Sequence, residues 1–152
     1  MNIYTKLKAA LLPVRKYGAQ NIVMYVSSEV MDFLERSKDF TRSIATTSPQ
    51  GIDTRVTSLD GVQIIEVWDD ARFKTKFDFT TGFVKASDGK DINFLIVAKP
   101  AVIAKAKFNS IYLFAPGQHT EGDGYLYQNR LYHDLFVLDT KKDGVYVSHK
   151  SA

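Results

Sequence analysis

Residues 125–150, YLYQNRLYHDLFVLDTKKDGVYVSHK, constrain the fold more than any other stretch of the chain. They read as one long strand over 125–138, a charged turn at 141–144 and a short returning strand over 145–149. A strand of that length exceeds what a small core needs. It carries aromatic residues on both faces, so both faces are expected to meet other protein. The expectation is a long C-terminal β-hairpin that leaves one packing unit and enters another. Such a pattern belongs to assembly rather than to catalysis.

The rest of the chain supplies an ordinary core. Its 152 residues suffice for one domain, or one domain with an extension. A chain of this size buries roughly 70% of its unfolded surface on folding. Apolar residues make up 45% and charged residues 24%, a globular composition that argues against disorder. The net charge is +3, with acids interspersed among the basic residues, so no nucleic-acid footprint stands out. Cysteine is absent, which excludes disulfides, thiolate catalysis and cysteine-ligated zinc. No apolar run approaches the ~20 residues of a membrane helix. The basic, amphipathic start MNIYTKLKAALLPVRK lacks the continuous apolar stretch and small-residue cleavage site of a secretory signal, so none is expected.

Periodicity gives the order of elements. Residues 2–17 read as a helix, with Ile3, Leu7, Ala10, Leu11 and Val14 on one face. Pro13 is expected to kink it or end its regular bonding, and Gly18 to close it. Residues 22–26 (IVMYV) read as a buried strand, and Ser27 or Ser28 as the cap of a helix ending near Ser37. Residues 40–51 read as an irregular connection. A strand over 54–58, a Leu59-Asp60-Gly61 turn and a strand over 62–68 form a hairpin. Residues 69–91 form an extended excursion or loose hairpin. Residues 92–98 (INFLIVA) are the clearest buried strand. Pro100 suits the first turn of a short helix over 101–107, followed by a strand over 110–114 and a Gly-rich loop over 115–124. The sum is an α+β fold, a mixed or antiparallel sheet flanked by helices, and not a doubly wound sheet.

No constellation of side chains spells out an enzyme. His133 and Asp134 are strand neighbours and point to opposite faces, which suits structural hydrogen bonding better than proton transfer. Asp69 and Asp70 read as turn residues. The loop GQHTEGDG matches neither a phosphate loop nor a dinucleotide fingerprint. Lys105 and Lys107 read as a solvated face. Ser27, Ser28, Ser43 and Ser48 lack a nucleophile-elbow context. The expectation is a non-enzymic protein with no catalytic residue, cofactor or metal. The alternative is a small metal-dependent hydrolase using His119, Glu121 and Asp123, or His133. A nucleic-acid binder, which predicts steep salt dependence, fits the modest charge poorly.

The aromatic residues are the stronger signal. Phe73, Phe77, Phe79 and Phe83 crowd the excursion. Tyr125, Tyr127, Tyr132, Phe136 and Tyr146 crowd the C-terminal run. A small core does not hold all of them, and Tyr and Phe are favoured at interfaces. Phe73, Phe77, Phe79, Phe83, His119, Tyr125, Tyr127, Tyr132 and Phe136 are therefore the candidate subunit contacts.

Four segments, taken in order, resemble successive parts of a tailed-bacteriophage major capsid protein, of the kind found in phages and prophages of Gram-positive bacteria. They are QNIVMYVSSEVMDFLERSKDF, SLDGVQIIEVWDDARF, INFLIVAKPAVIAKAKFNSIYLFAPGQ and YQNRLYHDLFVLDTKKDGVYVSHK. The features that carry the resemblance are the strand–Ser–helix unit ending at Lys38-Asp39-Phe40, the Leu59-Asp60-Gly61 hairpin, and the run from Arg130 to Asp134 leading to Asp143-Gly144-Val145-Tyr146. The resemblance implies a shell subunit around double-stranded DNA. Residues 1–124 would correspond to the axial domain, and residues 125–152 to strands returning to the peripheral domain. The family's N-terminal arm, extended loop and spine helix have no counterpart in this sequence, which would make the chain a truncated piece. The implied partners are other copies of the chain, in hexamers and pentamers, and other head proteins. Neither a membrane nor a sequence-specific nucleic acid is implied. The implied location is the virion, and the host cytoplasm during assembly.

Overall fold

A computed structural model describes residues 2–37, 56–80 and 82–151. The expected connection over 40–51, Lys38 to Phe40, Ser43, Ser48 and the first two residues of the expected strand at 54 lie outside the described residues.

Helix α1 spans Ile3–Leu11, with the Asn2 side chain accepting from the Tyr4 amide at its start. At Pro13 the chain tightens into a 3-10 helix, Leu12–Tyr17, because proline cannot donate to the α-helical ladder. Gly18, at φ 83°, then turns the chain into strand β1, Ile22–Ser27. Ser27 caps helix α2, Ser28–Glu35, its hydroxyl accepting from the Val30 amide at 3.4 Å. Two short strands follow, β2 (Ser58–Leu59) and β3 (Val62–Val67). Asp60 and Gly61 join them with φ of 50° and 78°, the paired positive values that a two-residue hairpin turn of type I′ requires.

The excursion holds β4 (Phe77–Asp78) and β5 (Val84–Lys85), which form a small ribbon of their own. Strand β6, Ile92–Ala98, returns to the core. Among the described residues the main sheet has five strands in the order β2-β3-β1-β6 and, at the far edge, β9 (Val145–His149). It is mixed: β1 runs parallel to β3 and antiparallel to β6. The architecture is α+β, as expected.

Pairing register explains the core. Ile22, Met24 and Val26 share a face with Val62, Ile64, Phe94, Ile96 and Ala98. Leu7, Leu11 and Val14 from the first helical segment, and Val30, Met31 and Leu34 from α2, pack in one cluster with that face. Leu7, Leu11, Met24, Val26 and Ile96 are wholly buried. The other face, with Tyr25, Ile65, Leu95 and Val97, is half-buried.

Two expectations fail here. The segment expected to be a helix over 101–107 is instead the start of a 13-residue strand, β7, Val102–Phe114, entered through a 3-10 turn at Lys99–Ala101. The helix preference of alanine and lysine amounts to tenths of a kcal/mol per residue, and a cross-strand ladder readily overrides it. The second failure is the C-terminal hairpin. The long strand exists as β8, Leu126–Val137, but its partner is β7. The short strand β9 leaves through a 3-10 segment, Asp139–Gly144, and pairs with β6 instead. Val145 packs against the core cluster there, which a strand held beside β8 would not allow.

A candidate assembly surface

The β7–β8 ribbon is inserted between two neighbouring strands of the main sheet. At ~3.3 Å per residue it is about 40 Å long. Its root is fixed. Ala101 is wholly buried, the Leu138 amide donates to the Ala101 carbonyl at 3.0 Å, and the Lys141 ammonium donates to the Pro100 carbonyl at 3.3 Å. Gly144 sits where a Cβ would lie 2.6 Å from the Ala101 Cβ and 3.2 Å from the Tyr17 ring, so the root closes only around a glycine. Asp143 ties the root to the first helical segment, accepting from Lys16 and, at 2.7 Å, from the Tyr17 hydroxyl. The hydrogen bond from Lys16, then that from Tyr17, holds the Asp143 carboxyl below its usual range.

Beyond the root, among the described residues, neither face of the ribbon is packed on the core. Ile103, Phe108, Ile111, Tyr112, Leu113, Leu131, Leu135 and Val137 are all exposed, as are Tyr127, Tyr132 and Phe136. The two faces differ in chemistry. Phe108 opposes Tyr132, with ring centroids 6.2 Å apart, and shares its face with Ile103, Phe136, Tyr112 and Phe114. The same face carries the opposed pair Lys105 and Asp134, and Arg130. The other face carries Val102, Ile111, Leu113, Leu131, Leu135 and Val137, with Tyr127 near the tip. The register slips by one residue at Lys107, between Ala106 and Phe108. That bulge puts Ile103 and Phe108, five residues apart, on the same face, where unbroken alternation would divide them.

The loop at the tip is organised by His119. Its Nδ1 accepts from the Glu121 amide at 3.2 Å, so the proton lies on Nε2, which contacts the Gly124 carbonyl at 2.7 Å. Both ring nitrogens are thereby spent on the loop's own backbone. Glu121 and Asp123 are exposed. His133 lies on the shaft, opposite Ala106. Among the described residues no three His, Asp or Glu side chains gather closely enough to hold a metal ion.

A second apolar group caps the excursion. Phe77 and Phe83 stack with centroids 4.3 Å apart, and Phe79 lies 5.7 Å from Phe83. Phe79 and Phe83 are exposed, whereas Phe73 is buried and offers little to a partner. Ion pairs brace the hairpin beneath them: Lys76 with Asp88, and Lys74 and Lys85 with Asp91 at 2.9 and 3.0 Å. Those two lysines, Lys74 first, bring the Asp91 carboxyl down to about 2. Asp69 turns the chain into the excursion by accepting from the Ala71 amide at 3.1 Å, the turn role read from sequence.

Of the nine candidate contacts, the structure thus gathers Phe77, Phe79 and Phe83 at one tip, and sets Tyr127, Tyr132 and Phe136 along the ribbon, with Tyr125 and His119 at its end. Sequence reasoning missed the whole of β7 as a contributor. A signal was present in Ala104-Lys105-Ala106-Lys107, whose alternation has the period of a strand rather than a helix.

No family model matches the chain, and no curated protein matches it. Three solved chains do match it in structure. One of them, from Mycobacterium phage Che8, superimposes with a TM-score of 0.56 at 15% identity, covering 95% of this chain and 47% of that one. The chain therefore spans about half the length of that phage chain. At this identity the likeness is one of fold: an α+β architecture that a phage protein also has. Among the described residues, no helix is long and apolar enough to cross a membrane.

Proposed function

We propose that the chain is a structural protein of a tailed phage or prophage, and specifically a major capsid subunit or a piece of one. It would act through shape and repeated contacts with other copies and with other head proteins, around double-stranded DNA, without turnover. The observation that carries this reading is the β7–β8 ribbon. Monomeric soluble proteins rarely leave so much contiguous apolar surface uncovered, and a two-stranded ribbon is at best marginal alone in water. The ordered resemblance along the sequence and the fold shared with a phage chain support the same reading.

In it, the five-stranded sheet with its helices corresponds to the axial unit. The expected division at residue 124 shifts, because β7 belongs with the ribbon and β9 with the main sheet. The ribbon then corresponds to the strands that reach the peripheral unit. The expected location is the virion, and the host cytoplasm during assembly. The test is mass spectrometry and electron microscopy of particles purified after phage induction. Peptides of this chain at high copy number in closed shells are the expected result. Shells that lack them would overturn the reading.

A further inference from the structure

We propose that His119 is a protonation-operated latch at the tip of the β7–β8 ribbon. Neutral, it holds residues 119–124 closed. Protonated, it releases them. The inference goes beyond the shell reading and holds whatever the ribbon meets.

Three observations carry it. The first is the use of the ring. Nδ1 accepts from the Glu121 amide at 3.2 Å, and Nε2 contacts the Gly124 carbonyl at 2.7 Å. An amide only donates and a carbonyl only accepts, so this arrangement fits one form of the ring alone, neutral with its proton on Nε2. Imidazolium carries a proton on both nitrogens. Its Nδ1–H would face the Glu121 N–H, donor against donor, while the contact with Gly124 survives. Histidine is also the side chain whose charge ordinarily changes between about pH 5 and 8. The second observation is the division of the loop. Its first half is closed without a titrating group: the Gln118 side chain accepts from the Ala115 amide at 3.0 Å, and the Gln118 amide donates to the Ala115 carbonyl at 3.0 Å. Its second half is held across by the ring. Acid should therefore release one half and spare the other. The closed form binds one proton fewer, so it is complete above the titration and is lost as the pH falls through it. The third is room and charge. Apart from chain neighbours, no described atom lies within 4 Å of where a Cβ would stand on Gly117, Gly122 or Gly124. The released segment can thus move without displacing packed neighbours. The ionisable groups of the loop and of the strand ends beside it are Glu121, Asp123, Tyr112, Tyr125 and Tyr127, and no Lys or Arg occurs over 108–129. The two carboxylates are the charges nearest along the chain, and either can accept from the ring's new donor once the amide lets go.

Nitrogen-15 NMR of the whole chain from about pH 8 down to about pH 5 tests the latch. At the upper end the ring should show a proton on Nε2 and none on Nδ1. On acidification the Glu121 amide should exchange roughly fivefold faster, after correction for the intrinsic effect of pH, which is the loss of one ordinary hydrogen bond. That change should run in step with protonation of the ring, while the Ala115 and Gln118 amides keep their protection. His119→Asn supplies a side-chain oxygen that caps an amide two residues on and does not titrate. It should stay closed across the range. Glu121→Gln with Asp123→Asn keeps the imidazole and should keep the response. A response lost in that variant would belong to the carboxylates and overturn the proposal. So would a proton on Nδ1 at high pH, a Glu121 amide indifferent to acid, or a His119→Asn chain that still opens. None of these results bears on the detection of the chain in particles, so the two readings can fail separately.

Discussion

Single residues in this protein brace turns more than they perform chemistry. Asp91 is the clearest case. Two lysines hold its carboxyl at about 2, below the ~3.9 of a free aspartate. Its folded pKa is depressed, so its contribution to stability is complete above about pH 4 and is lost as the pH falls toward the folded value. The denaturant stability of Asp91→Asn should therefore trail the parent at neutral pH and meet it in strong acid. A gap that persists unchanged down to pH about 2 would refute the assignment. Asp143 has the same sign for the same reason, with Lys16 as its main partner. Because these carboxyls are exposed, the effect is expected to be small. In the core the scale is different. Leu7→Ala removes a wholly buried side chain from the contact between α1 and the sheet, and should cost roughly 2–5 kcal/mol in a thermal or chemical melt.

At the scale of elements, what was legible in the sequence was whatever local chemistry decides. Pro13 ends the α-helix, Ser27 caps the next one, Asp60-Gly61 makes the tight hairpin, and IVMYV and INFLIVA are the buried strands at the centre of the sheet. The strand over 126–137 was legible from its length and alternation. What failed was partner choice. Sequence neighbours pair in only about two-thirds of cases, and nothing local to the Asp139–Gly144 segment reveals that the chain there crosses from one sheet to another. The candidate surface was half legible for the same reason. Its β8 residues were named from sequence, while Phe108 fell between the helix expected over 101–107 and the strand expected over 110–114, and Tyr112 and Leu113, though placed on that strand, were not named as contacts. Gly144 tests the crossing point. Gly144→Ala drives a methyl group to 2.6 Å from the Ala101 Cβ, and should cost about 1–3 kcal/mol by overpacking. Ala101→Gly in the same chain should recover part of that loss. A fully tolerated Gly144→Ala would show that the root is looser than described.

The whole molecule divides its stability unevenly. The main sheet is covered on one face by helices, whereas among the described residues the ribbon beyond its root has only its own cross-strand bonds and side-chain pairs. Hydrogen exchange should reflect this. Amides of the central strand β1 should open only with global unfolding, and amides of β7 and β8 should exchange at far lower opening free energy. Association through the ribbon should slow the second group and leave the first unchanged. Equal protection of both groups in the dissociated chain would contradict the division.

The root described above also makes the ribbon separable. Strands β6 and β9 are direct antiparallel neighbours, and Ala101 and Leu138 are already bridged by a main-chain hydrogen bond where the ribbon departs. To the core, then, the 36 residues from Val102 to Val137 amount to an oversized turn. Replacing them with a short Gly-containing loop should give a smaller, more soluble protein whose five-stranded sheet is intact by circular dichroism. The fold is thus a cassette, in which the length and surface of the projection can change without renegotiating the core beneath it.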